Sequence, residues 1–281
     1  MSSAFVLIDK PIGITSFKTL NAVKCNFGTK RVGHAGTLDF AASGLIVAAF
    51  GKCTRLLPYI EAQEKVYSFN LHLGILTDTL EPTGNILKQD SNAARTAKEM
   101  DSVLQAFKGE IEQIPPAFSA IKINGKRASD FALKGQDIEL KSRKIFIHKL
   151  HRIPNEPSQP SQVFSIYCKC SKGTYIRSLA RDIAERLGTC GVAGNIRRLA
   201  IGGISVESAS DKPILPQELL SWEIVKVSEE QAKKILNGMT VAVASGQCLT
   251  ASENPVFVSS DGQIIAVAEL LNGYLVPKFQ L

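Results

Sequence analysis

The sequence predicts an α+β fold, in which a large mixed, mainly antiparallel β-sheet carries peripheral helices and a small β-rich module follows. Alternation of apolar and polar residues over Lys65–Leu73 is typical of a half-buried strand. Helical spacing of apolar residues over Thr96–Phe107 places a helix between strands. The end of the chain holds short strand-like runs around Val256, Ile264 and Tyr274, separated by Gly and Asn turns.

The first elements follow from local signals. The apolar run Phe5–Ile8 predicts a short buried strand, and a turn containing proline and glycine leads from it into a helix. Thr15 or Ser16 caps that helix, which runs to about Phe27.

The later elements are predicted by the same signals. They are a proline-containing loop at Gln113–Gly125 and strands at Lys144–His151 and Val163–Cys170. Two helices follow. The first is opened by Gly173, capped by Thr174 and ended near Leu187 by Gly188, and the second spans Glu229–Leu236. Pro213 and Pro216 mark a boundary, so we expect two domains, residues 1–222 and 223–281.

Composition favours a folded protein with an anionic partner. The 281 residues include 33 Lys and Arg against 26 Asp and Glu, a formal net charge of +7. That excess favours nucleic acid as the partner, and a hydrophobic fraction of 44% argues against a disordered chain.

The sequence indicates neither a membrane protein nor a metal protein. No apolar stretch reaches membrane-spanning length, and the first residues do not resemble a signal peptide, so we expect a cytoplasmic protein. The six cysteines lack the paired short spacings of a zinc site, and His34 has no ligand-type residue at metal-binding spacing. We therefore expect reduced thiols and no metal.

The segment Gly33–Gly44 is the strongest chemical signal. It places a single acid, Asp39, among glycines and small residues that let a backbone approach a ligand closely. A lone Asp in such a loop is by itself more typical of a turn or a helix cap than of catalysis.

Four segments together resemble the TruB family, the enzymes that make pseudouridine in the T-loop of tRNA. Gly33-His34-Ala-Gly36-Thr-Leu-Asp39, followed by Ala42-Ser43-Gly44, resembles the family's catalytic loop. Asp9–Ser16 resembles the family's first motif, and Lys65-Val66-Tyr67 resembles its second active-site strand. Ser171–Leu179, followed by Ile196–Leu199, resembles the family's third motif. The resemblance covers roughly residues 5 to 205.

The resemblance implies the pseudouridine synthase fold and assigns roles to individual residues. Asp39 is then the catalytic carboxylate, with Tyr67 and Arg177 beside it. An ionised carboxylate in a dry pocket is costly unless it is paired, and Arg177 is the candidate partner. Without the motifs, Tyr67 would be interpreted as a core residue and Arg177 as a solvated residue on a helix face.

The substrate-binding residues are also assigned by resemblance. Tyr175 and Ile196 align with positions that line the uridine pocket, and His34 aligns with a residue that enters the T-loop near the extruded base. The candidates for contacting RNA are Lys10 in the first motif, with Lys122, Lys126 and Arg127 in a further family-like segment, and Lys141, Arg143, Lys144, Arg197 and Arg198 as additional basic residues. Any one of these cations, taken alone, is more typical of a solvated surface.

The chain departs from the family pattern at three positions. Phe40 stands where proline is usual after the catalytic Asp, Phe118 where tyrosine is usual, and Ser129 where an aromatic residue is common. Proline would have fixed φ in the loop, and tyrosine would have added a hydroxyl that could reach RNA. We expect altered affinity more than lost chemistry.

The expected reaction isomerises uridine 55 of the tRNA T-loop by base flipping, cleavage of N1–C1′ and joining of C1′ to C5. The sequence leaves open whether Asp39 attacks C1′ or removes a sugar proton. The resemblance implies no cofactor, no metal and no guide RNA, and residues 223–281 resemble faintly the family's PUA-like RNA-binding appendage. We expect a monomer that binds the T-arm of tRNA.

Two other functions compete with this interpretation. A tRNA-binding folding chaperone would use the same basic surface, but it needs no buried carboxylate with a Tyr and an Arg beside it. A metabolic α/β enzyme with a glycine-rich phosphate loop is disfavoured, because Gly33–Gly44 has neither the Rossmann fingerprint nor the Gly-Lys-Ser/Thr ending of a P-loop.

Overall fold

A computed structural model of the protein describes residues 3–119, 121–123, 125–136, 139–154, 160–243 and 254–281, with the backbone alone at 122, 123, 126 and 127. The strands are β1 (Ala4–Lys10), β2 (Val32–Ala35), β3 (Ser43–Phe50), β4 (Lys65–Leu73), β5 (Ile75–Thr77), β6 (Ile86–Gln89), β7 (Gly109–Gln113), β8 (Lys122–Ile123), β9 (Lys126–Arg127), β10 (Arg143–Arg152), β11 (Val163–Cys170), β12 (Gly191–Ile201), β13 (Ile204–Ser205), β14 (Ser210–Ile214), β15 (Ile224–Lys226), β16 (Val241–Ala242), β17 (Val256–Ser260), β18 (Gln263–Leu271) and β19 (Tyr274–Gln280).

Seven α-helices lie among these described segments. They are α1 (Ser16–Phe27), α2 (Leu57–Glu61), α3 (Ala97–Ala106), α4 (Ala128–Ala132), α5 (Ile176–Arg186), α6 (Pro216–Leu219) and α7 (Glu229–Leu236), with short 3₁₀ helices at Gly51–Leu56 and Val206–Ser208.

A ten-stranded sheet dominates the molecule. Its main path runs β14-β1-β3-β12-β4-β11-β10-β7, with β2 paired to β3 and β13 paired to β12. β12 and β3 are parallel and the other neighbours are antiparallel. The prediction of a mixed, mainly antiparallel sheet in an α+β fold is therefore confirmed.

The helix ends follow the capping signals of the sequence. The Thr15 side chain accepts the Lys18 N–H at the start of α1, and Gly28 ends the helix in the left-handed conformation at φ 59°. Thr96 and Glu99 form a reciprocal capping box at the start of α3. Both helices were predicted within a residue of these bounds, and the Lys65–Leu73 and Glu229–Leu236 elements match their predicted bounds.

Three local predictions were wrong or incomplete. Thr174 does not cap α5: its Oγ1 donates to the Ser171 carbonyl at 3.0 Å, and Tyr175 is the capping residue. The segment taken as one glycine-rich loop begins within β2 and ends within β3. β12 was not predicted, although it lies near the middle of the sheet.

A second sheet of five strands, in the order β15-β17-β18-β19-β16, packs against the first. Phe257 and Val267 of the second sheet belong to the same apolar cluster as Phe5 of the first. The Trp222 ring lies 5.0 Å from the rings of both Tyr59 and Phe257. The short strands predicted at the end of the chain are confirmed, and the domain boundary at residue 222 stays a prediction.

None of the helices in the described part of the chain is both long and apolar enough to cross a membrane.

Candidate active site

A cleft of about 910 Å³ brings five of the predicted site residues together. The loop after β2, called the catalytic loop after the family segment that it resembles, contributes Asp39. β4 contributes Tyr67, and β12 contributes Ile196. Tyr175 and Arg177 lie at the start of α5 and complete this wall of the cleft. Residues from distant parts of the chain therefore meet as the family resemblance implied.

Asp39 and Arg177 form an ion pair in this cleft. Arg177 Nε donates to Asp39 Oδ2 at 2.9 Å, and the side chain of Arg177 is 5% exposed whereas that of Asp39 is 44% exposed. The other guanidinium nitrogens donate to the carbonyls of Thr79 at 2.8 Å and Phe118 at 2.9 Å. The cation is thus fixed on three sides, while the carboxylate that it holds faces the cleft.

A second carboxylate, Glu81, lies behind this pair. Its Oε1 is 3.7 Å from Arg177 Nε. Burial raises the pKa of the Glu81 carboxyl, and the Arg177 charge opposes that rise. The sequence analysis missed Glu81, because its segment carries no pattern that points to a site and it is far from Arg177 in the chain.

Tyr67 is supported by a buried arginine. Arg198, which lies opposite Tyr67 in the β12–β4 register, donates from Nε to the Leu45 carbonyl at 2.8 Å and from Nη2 to the Gly36 carbonyl at 3.0 Å. Burial raises the pKa of the Tyr67 hydroxyl, and the positive charge of Arg198 acts in the opposite direction. Tyr67 therefore stays protonated near neutral pH, as a ring and a hydroxyl beside the catalytic loop.

Arg198 is a correction to the predicted basic surface. Its side chain is buried between the catalytic loop and β3, so it cannot belong to an exposed cationic face. Arg197, its neighbour, is partly exposed and forms a two-point pair with Asp9 at 2.7 and 3.0 Å.

Gln113 holds the backbone of Tyr175. The Tyr175 N–H donates to Gln113 Oε1 at 2.8 Å, and Gln113 Nε2 donates back to the Tyr175 carbonyl at 3.1 Å. The Gln113 side chain is buried at the end of β7, and the Tyr175 ring lies 5.5 Å from the Arg143 guanidinium. Burial raises the pKa of the Tyr175 hydroxyl. Sequence reasoning placed Gln113 only at the start of a loop and did not assign it a role.

Two predicted substrate residues lie outside the cleft lining. Lys10 is fully buried and its Nζ donates to the carbonyls of Pro11 and Ile14 at 3.0 and 2.8 Å. His34 is half-buried on β2, where burial and then the charge of Arg198 lower the pKa of its imidazole. Both roles stay predictions, and the contacts of Lys10 indicate that it supports the first-motif turn.

The remaining cations line or flank the rim. Lys141, Arg143 and Lys144, which were predicted as additional basic residues for contacting RNA, line the cleft. Lys172, which was not predicted, lines it as well. Lys122, Lys126 and Arg127 lie on the β8–β9 hairpin, where Lys122 pairs with Arg127. Their side chains are outside the described atoms. In the described segments, no group of three or more His, Cys, Asp or Glu is placed to hold a metal ion.

The comparisons with known proteins agree with this geometry. The family model described as TruB family pseudouridylate synthase (N terminal domain) matches residues 24–176, more than half of the chain. The chain belongs to the TruB family. Its relatives include the "tRNA pseudouridine synthase B" of Borreliella burgdorferi (strain ZS7), 36% identical over 276 residues, covering 96% of this chain and 95% of the relative.

Further TruB relatives extend over nearly the whole chain. The "tRNA pseudouridine synthase B" of Aquifex aeolicus (strain VF5) is 36% identical over 286 residues, covering 97% of each protein. The protein of that name from Arthrobacter sp. (strain FB24) is 34% identical over 293 residues, covering 99% of this chain and 96% of the relative.

Among solved structures, a chain of a Cbf5-Nop10-Gar1 complex superposes with a TM-score of 0.67 at 18% identity, covering 99% of this chain and 84% of that one. That likeness confirms the pseudouridine synthase fold.

The departures from the TruB pattern have different structural consequences. Phe118 contributes its carbonyl to Arg177, so the change from tyrosine leaves that contact in place. The Ser129 N–H donates to the Ser119 carbonyl at 3.1 Å, which is likewise a backbone contact. Phe40 differs from these two, because its side chain is exposed and it directly follows Asp39.

Proposed function

We propose that this protein isomerises uridine 55 in the T-loop of tRNA to pseudouridine, with Asp39 as the catalytic carboxylate. The observation that carries the proposal is the Asp39–Arg177 ion pair at 2.9 Å, inside a cleft that Tyr67, Tyr175 and Ile196 also line. The family membership supports the reaction type, and the names of the relatives support tRNA as the substrate.

The reaction breaks the N1–C1′ bond, rotates the freed base and joins C1′ to C5. C5 then loses its proton to solvent and N1 takes up a proton, so that the product is an isomer of uridine. Asp39 has two routes, since its carboxylate can attack C1′ or remove a proton from the sugar. In either route it must be ionised at the start, and the guanidinium of Arg177 stabilises that anion in a partly dehydrated site.

The other cleft residues serve the extruded base. Extrusion costs a few kcal/mol, and stacking with phosphate contacts offsets that cost. The rings of Tyr67 and Tyr175 and the side chain of Ile196 supply an apolar wall. Both tyrosine hydroxyls keep their protons near neutral pH, since burial raises the pKa of each further above its ordinary value. The Tyr67 hydroxyl can also move a proton during the rearrangement.

The cationic rim would hold the RNA backbone. Lys141, Arg143 and Lys172 line the cleft, and the β8–β9 hairpin carries further cations, so the T-arm phosphates have positive charge on this side of the cleft. We include in the proposal a PUA-like role in RNA binding for residues 223–281, action as a monomer in the cytoplasm, and independence from a guide RNA, cofactor or metal.

Tritium release from C5-labelled uridine in an unmodified tRNA transcript tests the proposal. The wild-type chain should release tritium, and Asp39→Asn should abolish release while tRNA affinity stays within several-fold, because the shape and charge of the surface barely change. Turnover by Asp39→Asn would remove Asp39 from its role. Tight tRNA binding without release by either protein would contradict the proposal and favour a folding chaperone.

A further inference from the structure

The catalytic loop leaves one large apolar side chain in water. Leu38 and Ala42 of this loop are buried, but Phe40 between them is 61% exposed. Phenylalanine is among the residues most often found buried, and the loop has buried its other apolar neighbours. Phe40 directly follows Asp39, whose side chain lines the cleft, so the exposed ring belongs to a residue adjacent in sequence to the cleft lining.

The turn between β1 and α1 extends the exposed surface around Phe40. The Gly13 N–H donates to the Phe40 carbonyl at 2.9 Å, which fixes the turn against the loop. Ile12 and Phe17, on either side of that turn, are 57% and 66% exposed. We call Ile12, Phe17 and Phe40 the rim patch. Large apolar side chains left exposed on two segments that are hydrogen-bonded to each other are a candidate binding surface.

The rim patch lies among positive charge. Lys24 Nζ is 4.5 Å from the centroid of the Phe17 ring, and Lys18 is exposed on the same helix. An apolar ring beside ammonium groups matches a nucleotide, because the ring can stack on the base while the ammonium groups contact the phosphate. An apolar protein surface would offer those cations no anion.

We propose that Phe40 is a stacking platform for an unpaired nucleobase that neighbours the target uridine, an inference that rests on the proposed function. When a base is extruded, its neighbours lose a stacking partner, and the exposed aromatic ring of the residue next to Asp39 replaces it. The site tolerates any base, because every base has a π-face.

The first test measures affinity without turnover. In an Asp39→Asn background, Phe40→Ala should weaken binding of the T-arm stem-loop between about 5-fold and 150-fold, the range for one base stacked on an aromatic residue. Phe40→Trp should retain affinity, and Phe40→Leu should lose part of it. Leu87→Ala, which removes a similarly exposed apolar side chain from β6, should leave affinity unchanged. Equal affinity of Phe40→Ala and its parent would overturn the proposal.

The second test reports stacking directly. A T-arm stem-loop with 2-aminopurine on either side of the target uridine should lose fluorescence on binding when Phe40 or Trp occupies the position, and should stay bright with Phe40→Ala. Identical quenching by Phe40→Ala would also overturn the proposal. So would self-association of the wild-type chain in sedimentation that Phe40→Ala abolishes, because the patch would then bind a second copy.

Wild-type tritium release separates the two proposals. If the wild type releases tritium and Phe40→Ala binds as tightly as its parent, the stacking role alone fails. If the wild type releases none, the proposed function itself fails.

Discussion

The two sheets bury different kinds of residue. Around the ten-stranded sheet, four cationic side chains are buried: Lys10, Lys65, Arg177 and Arg198. In the described part of the five-stranded sheet, Ser259 is the single buried polar residue, and the rest of its core is aliphatic or aromatic. Buried charge is therefore concentrated on the side of the molecule that holds the cleft.

The difference shows what those cations do. Each donates to two backbone carbonyls, and most of these lie in loops or at the end of a helix. The acceptors are Pro11 and Ile14, Glu61 and Gln63, Thr79 and Phe118, and Gly36 and Leu45. Burying a cation is costly, and those hydrogen bonds offset part of the cost. Around the first sheet, buried cations thus hold irregular segments in place, whereas the core of the second sheet is held together by hydrophobic burial.

Among the substitutions that test this comparison, Gln113→Leu should reduce turnover the most. The substitution keeps the buried volume but leaves the Tyr175 N–H and carbonyl without their amide partner. We expect kcat to fall about tenfold, because misplacing a site residue by a fraction of an ångström weakens catalysis. Single-turnover rates, with the melting temperature measured in parallel, check this.

A matched buried change separates positioning from stability. Thr19→Val removes the buried hydroxyl that donates to the Thr15 carbonyl at 3.1 Å, away from the cleft. We expect it to lower the melting temperature without changing kcat, and we expect Gln113→Leu to change kcat with KM nearly constant. If the two variants behave alike, Gln113 has only a structural role.

Lys65→Met tests the cost of a buried charge through pH. Burial, with the nearby charge of Arg198, lowers the pKa of the Lys65 ammonium to about 8. Below pH 8 the folded and unfolded chains both carry this proton, so the full free-energy cost of burying the charged ammonium group is present. Between pH 8 and about 10.4 the unfolded chain binds more protons, so folding stability rises with pH.

As the pH rises through this range, the free energy of unfolding of the wild type should increase by at most about 3 kcal/mol relative to that of Lys65→Met, which lacks the titrating group. Urea unfolding of both proteins at pH 7 and pH 10 measures it. Stability curves that remain parallel across this range would show that Lys65 keeps its ordinary affinity for the proton when folded.

The sequence predicted the parts of the molecule whose signals are local. The caps at Thr15 and Thr96 and the alternation of Lys65–Leu73 depend on neighbours in the chain, and the structure confirms them. The meeting of Asp39, Tyr67 and Arg177 in one cleft was predicted by family resemblance, because no local signal connects residues so far apart.

What the sequence could not predict depends on tertiary contacts. β12 is nearly apolar on one side and contains Arg197 and Arg198, and only the fold shows that one of them is buried. In the sequence, Glu81 resembles an ordinary loop residue and Gln113 an ordinary strand-end residue. Only the tertiary structure shows that they contact Arg177 and Tyr175, respectively. The N-cap of α5 was misplaced by one residue because the Thr174 hydroxyl bonds backwards to Ser171.

Val258→Ala should affect turnover least, and it tests whether the five-stranded sheet is energetically separate from the cleft. Val258 is fully buried among the aliphatic residues of that sheet, so its loss should destabilise the protein by about 2 kcal/mol. No residue of the described five-stranded sheet lines the cleft, so kcat below the unfolding transition should stay within about twofold of wild type.

Val47→Ala is the matched change in β3. Val47 lies two residues after Leu45, whose carbonyl accepts a hydrogen bond from Arg198, so its loss should cost similar stability and also lower kcat severalfold. Equal losses of kcat in the two variants would mean that the interface containing Phe5, Phe257 and Val267 transmits packing changes to the cleft, and the contrast between the sheets would then describe composition alone.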